Sequence, residues 1–438
     1  MAIFGAPSTP AGDPSSPLAR ASWAMYDWAN SSFAAIISTF VFPTYFATLV
    51  AKDSTLGTRQ WGWTVGLAGL VVAFGGPLLG AVADQYGRRK PWLGLFTLIC
   101  VLATAALWWV RPTTESVLFA MMVAAVATIA AEFAVIFYNA MLPAIARQDH
   151  VGRWSGWAWG LGYAGGLACL LLAMAAFMGE NPWLNLPRDS GQQVRATFVL
   201  VALWYAAFSL PLFLFTPDEP AVGGGLRRAL REGLHQLGDS LKAVRAYVPI
   251  LRFLLARIFF IDGLATLFAF GGVYASGTFD FSARQVLMFG ILLNVTAGVG
   301  AAAFAWIDDR LGSKRTILVS LVGLIVPGAL MLVVQSHALF WLLGGILGIF
   351  VGPVQAASRS WMARAAPEHL RTQMFGLFAF SGKATAFLGP LLVGWVTGLF
   401  DSQRAGMGVI IVFLVAGFAL MLTVPAAARA TPPAPASL

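Results

Sequence analysis

The sequence predicts an all-α membrane protein of twelve transmembrane helices arranged as two pseudo-symmetric six-helix bundles. Three observations carry this. The 438 residues are 58% hydrophobic and only 11% charged, too little polar surface for a soluble protein. Apolar runs long enough to cross a bilayer recur twelve times, near 23–50, 61–83, 91–110, 116–143, 154–178, 196–216, 251–276, 285–307, 315–335, 338–358, 373–399 and 406–425. Short segments of the first six runs return, in the same order, in the last six. A membrane β-barrel would instead show alternating segments of about ten residues.

Taken in chain order, residues 1–20 are rich in Pro, Ser and Ala and lack the apolar core of a signal peptide, so they read as a disordered cytoplasmic tail. Residues 21–216 hold the N-terminal bundle. The stretch 217–250 is Gly-rich, then amphipathic and basic, which predicts a cytoplasmic linker with a helix lying on the anionic inner leaflet. Residues 251–425 hold the C-terminal bundle, and 426–438 form a second disordered tail. Most of the 28 lysines and arginines fall in loops on one side, among them Arg88, Arg89, Lys90, Arg147, Arg227, Arg228, Arg310, Lys314 and Arg371. The positive-inside rule then places both termini in the cytoplasm, with a bacterial inner membrane as the expected location. The same bias explains the net charge of +9 without nucleic acid. Cys100 and Cys169 sit in apolar stretches and offer neither a disulfide framework nor metal spacing, so no cofactor is expected.

The repeat is most legible after spans two and eight. "GAVADQYGRRK" (80–90) aligns with "AWIDDRLGSKR" (305–315), setting Asp84 and Gly87 on Asp309 and Gly312. Asp27 in "YDWANSSFA" falls opposite Asp262 in "IDGLATLFA", and Gly156 opposite Gly376. Gly80 allows a close helix approach, and Gly87 a tight turn with positive φ. Asp84 is placed to pair with Arg88 or with a helix end of the other half. These residues, with Arg89, Asp309 and Gly312, are the expected conformational latch. Arg359 closes span ten beside Gln355 and Ser358, as a gate or as a snorkelling anchor.

The pattern Gly80, Asp84, Gly87, Arg88, Arg89 resembles the signature loop of the major facilitator superfamily. "WAMYDWANSSFAAIISTFVFPTYF" (23–46), "FYNAMLPAIA" (137–146) and "FGLFAFSGKATAFLGP" (375–390) are similar to a narrower branch, the vacuolar amino-acid effluxers linked to autophagy and their bacterial relatives. The resemblance implies transport by alternating access, with spans one, four, seven and ten lining a cavity and the latch closing its cytoplasmic side in the outward-facing state. For bacterial members it says little about the substrate.

The ionisable residues within the spans are Asp27, Glu132, Arg257, Asp262 and Lys383. Charges there are costly and usually mark a pathway. Counted along their helices, Glu132, Asp262, Lys383 and the shallower Asp27 form one band near the midplane. Asn30 follows Asp27 and Asn139 follows Glu132 at helical spacing, which adds polar groups to the same faces. Asp27, Asn30, Glu132, Asn139, Asp262 and Lys383 are therefore the expected substrate-binding residues. Both signs in one cavity suit a zwitterion, its carboxylate at Lys383 and its ammonium at an acid. Three acids against two bases leave one carboxylate unpaired, and such a group can carry a proton. Trp157, Trp159 and Tyr163 either contact substrate or fill the core. The alternative for Lys383 is a permanent ion pair with one of the acids that pins span eleven to its neighbours.

"SGKAT" (381–385) is not a phosphate loop, because Ala384 replaces the required hydroxyl residue and Gly376 lies one position too far away. The expectation is a monomeric secondary transporter, not an enzyme, for a small polar solute such as an amino acid. Its partners are that solute, membrane lipids and H⁺ as coupling ion. The competing readings are a lipid-translocating facilitator and a non-transporting membrane scaffold or sensor.

Overall fold

A computed structural model of the chain describes residues 16–220 and 247–426, apart from 180, 189 and 282. The expected surface helix of the linker, and most of both tails, lie outside the described residues.

Among the described residues, twelve helices are long and apolar enough to cross a membrane: α1 Pro17–Val50, α2 Arg59–Tyr86, α3 Lys90–Trp109, α4 Thr114–Ile145, α5 Gln148–Met178, α6 Gln192–Phe215, α7 Val248–Phe279, α8 Met288–Leu311, α9 Ser313–Met331, α10 His337–Ala365, α11 Glu368–Phe400 and α12 Gln403–Leu422. Local chemistry sets several boundaries. The Ser16 hydroxyl accepts from the Ala19 N–H (3.1 Å) with Pro17 at the first helical position, a favourable N-terminus. Gly87 and Gly312 end α2 and α8 with φ of 85° and 84°, a backbone region that side chains rarely enter.

Helices α1–α6 form one bundle and α7–α12 the other. The first is centred on aromatic side chains. Trp23 stacks on Tyr138 (4.6 Å between rings), and the Tyr26 hydroxyl bonds Thr97 (2.7 Å) and Tyr205 (2.9 Å). In the second, Phe253 stacks on Trp361 at 4.1 Å.

The bundles meet along two pseudo-equivalent seams, α2 with α11 and α5 with α8. Both are built on small residues. A Cβ at Gly376 would lie 2.5 Å from the Gly76 carbonyl oxygen, and one at Gly80 2.7 Å from Gln373 Cα. A Cβ at Gly156 would lie 2.6 Å from the Ala301 oxygen, so the aligned pair Gly156 and Gly376 occupies matching crossings. The α2–α11 seam does not continue along the helix. Gly69 and Gly62 share the face of Gly76 by seven-residue spacing, yet a Cβ at either meets nothing within 4 Å. The bundles thus touch at the end carrying Gly87 and Gly312, here called the latched end, and part toward the other.

Span eleven is not the continuous helix that its apolar run predicts. It is helical over Arg371–Lys383 and again over Leu388–Phe400. Pro390 explains the break: its ring has no N–H and clashes with the carbonyl four residues back, that of Ala386. The first piece packs on α2, whereas the second packs on α12 and α7. Lys383 therefore sits at a helix end, not in mid-helix.

Candidate functional site

At the latched end, two carboxylates cap helices of the opposite bundle. Asp84, on the last turn of α2, accepts from the Thr372 N–H (3.0 Å) and Gln373 N–H (2.9 Å) at the start of α11. Asp309, on the last turn of α8, accepts from the Gly152 N–H (2.8 Å) and Arg153 N–H (3.1 Å) at the start of α5. Each places a negative charge on the positive end of a helix dipole, and each bond crosses the seam.

Arg89 carries the first latch further. It lies 3.8 Å from Asp84, donates to the Thr372 hydroxyl (3.0 Å) and pairs with Glu219. Of the two partners the sequence offers Asp84, the structure shows the helix end of the other half and not Arg88. Arg88 is half exposed and reaches Asp218 at 3.4 Å. Asp218 in turn accepts from the Arg89 N–H (3.0 Å) and Lys90 N–H (3.3 Å), capping α3. At the second latch Arg364 holds Asp308 (2.7 Å) and Asp309 (3.0 Å).

Deeper in the protein, the ionisable residues form two layers rather than one band. The first layer surrounds Arg359. The arginine lies within α10, which runs on to Ala365, and its side chain is 3% exposed, so it does not snorkel. Its Nε donates to the Ser155 hydroxyl (2.9 Å). One terminal nitrogen donates to Asp27 (2.8 Å) and Asn139 (3.3 Å), and the other to the Ser155 carbonyl (2.7 Å). The guanidinium also stands 5.2, 5.6 and 5.7 Å from the rings of Trp23, Tyr138 and Trp159, within cation–π range. Every one of these partners belongs to the first bundle.

The second layer lies about 10 Å further along α4, the rise from Asn139 to Glu132. Lys383 meets Glu132 at 2.7 Å, again across the bundles. Here the side chains are 34% and 31% exposed, so both charges face an accessible space. Asn30, on α1, is half buried, and its side chain makes no hydrogen bond among the described residues.

Arg257 and Asp262, both on α7, complete the set. Arg257 donates to the Phe378 carbonyl and the Ser381 hydroxyl, both at 2.6 Å, and lies 3.5 Å from the Phe378 ring. It secures the first piece of α11. With Arg359 counted there are three acids and three bases, but Arg257 binds no carboxylate, and Asp262 is the acid left over. Asp262 is 1% exposed and neither carboxylate oxygen has a hydrogen-bond partner. The Thr385 hydroxyl, in the break of α11, is beside it but completes no bond of normal geometry.

Sequence reasoning missed Trp23, Tyr138 and Ser155 around Arg359, and the acids Asp218 and Glu219. The first two were signalled by position: Trp23 precedes Asp27 by one helical turn, and Tyr138 adjoins Asn139. The acids stand in "PDEP" on the same side as the basic signature loop. Trp157 and Tyr163 line an apolar groove of about 590 Å³ between α5 and α8, and the Arg153 guanidinium stands 6.0 Å from the Trp157 ring.

The family described as "Vacuole effluxer Atg22 like" matches residues 63–153 and 150–431. The chain belongs to this family, a branch of the major facilitator superfamily. The MFS-type transporter YxiO of Bacillus subtilis is 25% identical over 92% of this chain and 94% of its own. Autophagy-related protein 22 of Cryptococcus neoformans is 26% identical over 51% of this chain and 44% of its own, so that match covers about half of each. Among solved structures, the proton:xylose symporter XylE superposes with a TM-score of 0.70 at 14% identity, over 94% of this chain and 95% of that one. The human organic anion transporter MFSD10 gives 0.69 at 16% over 93% and 100%. At such identities these two show the fold alone. The Atg22-like chain is thus an integral membrane transporter of major facilitator type and not an enzyme.

Proposed function

We propose that the protein is a gradient-driven permease for a small zwitterionic solute, with amino acids the leading class. The observation that carries this reading is the Lys383–Glu132 pair: opposite charges 2.7 Å apart, one from each bundle, each about one-third exposed. A zwitterion can replace that pair, carboxylate to Lys383 and ammonium to Glu132, with Asn30 a nearby polar contact. Exchange of one ion pair for two avoids the cost of leaving either charge bare.

The basic loops lie at the latched end, which supports a cytoplasmic latched end, cytoplasmic termini and a bacterial inner membrane. On that reading the conformation is outward-facing, and one chain supplies both walls of the cavity, as a monomeric carrier requires. Asp262 is the candidate coupling group, because a carboxylate buried without a partner needs a proton or a cation beside it. The apolar lining of the α5–α8 groove offers no path for a lipid headgroup, which favours a water-soluble solute over a lipid.

The test is uptake of pooled radiolabelled amino acids into proteoliposomes, with and without a pH gradient, for the native protein and Lys383→Ala. Gradient-dependent uptake that the variant loses supports the reading. Uptake by Lys383→Ala at the native rate removes Lys383 from the site. No uptake by folded native protein removes amino acids.

A further inference from the structure

The Arg359 layer has an asymmetry that the ion pair alone does not convey. Asp27, Asn139, Ser155, Trp23, Tyr138 and Trp159 come from α1, α4 and α5 of one bundle, and Arg359 alone comes from the other. The receiving half is built without help from the arginine. Trp23 stacks on Tyr138 with 15° between ring planes, and its Nε1–H donates to the Tyr138 carbonyl (3.1 Å). Tyr138 is fully buried and its hydroxyl has no hydrogen-bond partner. A carboxylate, an amide oxygen and three aromatic faces around one point constitute a cation site, and Arg359 fills it.

Opening the latched end must carry α10 away from α1, α4 and α5. The cage then keeps its walls and loses its cation, leaving the Asp27 carboxylate among aromatic rings. We infer that this cage is a subsite for the ammonium or guanidinium group of the transported solute, and that Arg359 is a tethered stand-in which a solute cation replaces as the latched end opens. The inference rests on the alternating-access reading above and narrows it. The solute's cation is received at Asp27 after its first encounter with the Lys383–Glu132 layer, and an empty carrier stays closed at the latched end because Arg359 has no substitute. Solutes without a cationic group fail to open it.

The test uses Arg359→Ala with millimolar methylammonium and methylguanidinium as probes and acetamide as the neutral control. Both cations should raise the thermal unfolding midpoint of Arg359→Ala saturably by several degrees, acetamide should not, and Arg359→Ala combined with Asp27→Asn should show no shift. A shift that survives loss of Asp27, or none in Arg359→Ala, overturns the inference. Should Arg359→Ala fail to fold, spin labels at the exposed positions Arg147 and Arg310 report the bundle separation at the latched end in an otherwise native chain. Methylguanidinium should lengthen that distance, and Asp27→Asn should abolish the response. An unchanged distance in the native chain rejects the inference. Because neither readout needs transport, cation binding without amino-acid uptake would retain the cage and discard the amino-acid reading. Lys383-dependent uptake with an inert cage would do the reverse.

Discussion

Arg359 and Lys383 pose the same electrostatic problem and solve it differently. Each brings a positive charge from the second bundle to a carboxylate of the first, at 2.8 and 2.7 Å. Arg359 is 3% exposed, makes four hydrogen bonds and is ringed by aromatics. Lys383 is 34% exposed and makes an ion pair with Glu132 at the end of a broken helix. A planar five-donor fork suits a saturated, buried junction, whereas a single ammonium on a flexible stem suits a contact that exchanges. On the function proposed above, the difference separates closing the pathway from meeting the cargo, although both residues are cations at a bundle interface.

The largest expected effect tests that separation directly. Arg359→Gln leaves Asp27 buried without its partner, which should cost about 3–5 kcal/mol of stability. Lys383→Gln leaves Glu132 with access to solvent and should cost less than about 1 kcal/mol. Unfolding of the two purified variants measures both. Equal losses would mean that the two layers are one structural network.

The next effect concerns the seam that holds the Arg359 layer together. A side chain at Gly376 collides with the backbone of Gly76 at 2.5 Å, and backbone cannot swing aside. Gly376→Val should therefore disfavour the latched conformation by about 1–3 kcal/mol, the usual cost of overpacking. Spin-label distances across the latched end should show the parted population rising by about fivefold to a hundredfold, since 1.4 kcal/mol is a factor of ten. Gly394→Val, where added atoms meet open space, should leave the distances unchanged.

Asp262 sharpens the contrast from a third side, as a charge with no partner in either layer. Asp262→Asn should leave folding intact and abolish the gain from an imposed pH gradient, while solute exchange without a gradient continues. Proteoliposome uptake against counterflow distinguishes these. A variant still accelerated by the gradient would assign coupling to another group.

How much of this could be read in advance follows from which interactions are local. The spans were legible because hydropathy needs only composition over about 20 residues. Gly87 and Gly312 were legible because a tight turn is a local demand, and Asp84 and Asp309 because a repeat preserves spacing. For Arg359 the sequence left a gate and a snorkelling anchor open, because its apolar run ends at 358; the burial of Trp361, Met362, Ala363 and Ala365 against other helices carries α10 past it and removes the anchor. The break at Lys383 was hidden by unbroken hydropathy, although Gly389-Pro390 carried its signal. The pairing of Lys383 with Glu132 rather than Asp262 depends on how two bundles are turned against one another, which no local pattern records.

The smallest effect separates two adjacent arginines that the sequence treats alike. Arg88 is 50% exposed and meets Asp218 at 3.4 Å without crossing the seam, and a solvated pair of this kind contributes about 0–1 kcal/mol. Arg89 is 4% exposed and reaches Asp84, Glu219 and, across the seam, Thr372. Arg88→Ala should change transport by less than about twofold, because under 0.5 kcal/mol is at stake for most surface substitutions. Arg89→Ala should weaken the latch visibly, lengthening spin-label distances at the latched end while the Arg359 layer still holds. If Arg88→Ala proves the more damaging, the latch works through the linker acid Asp218 rather than through the start of α11, and the two seams are less equivalent than their glycines imply.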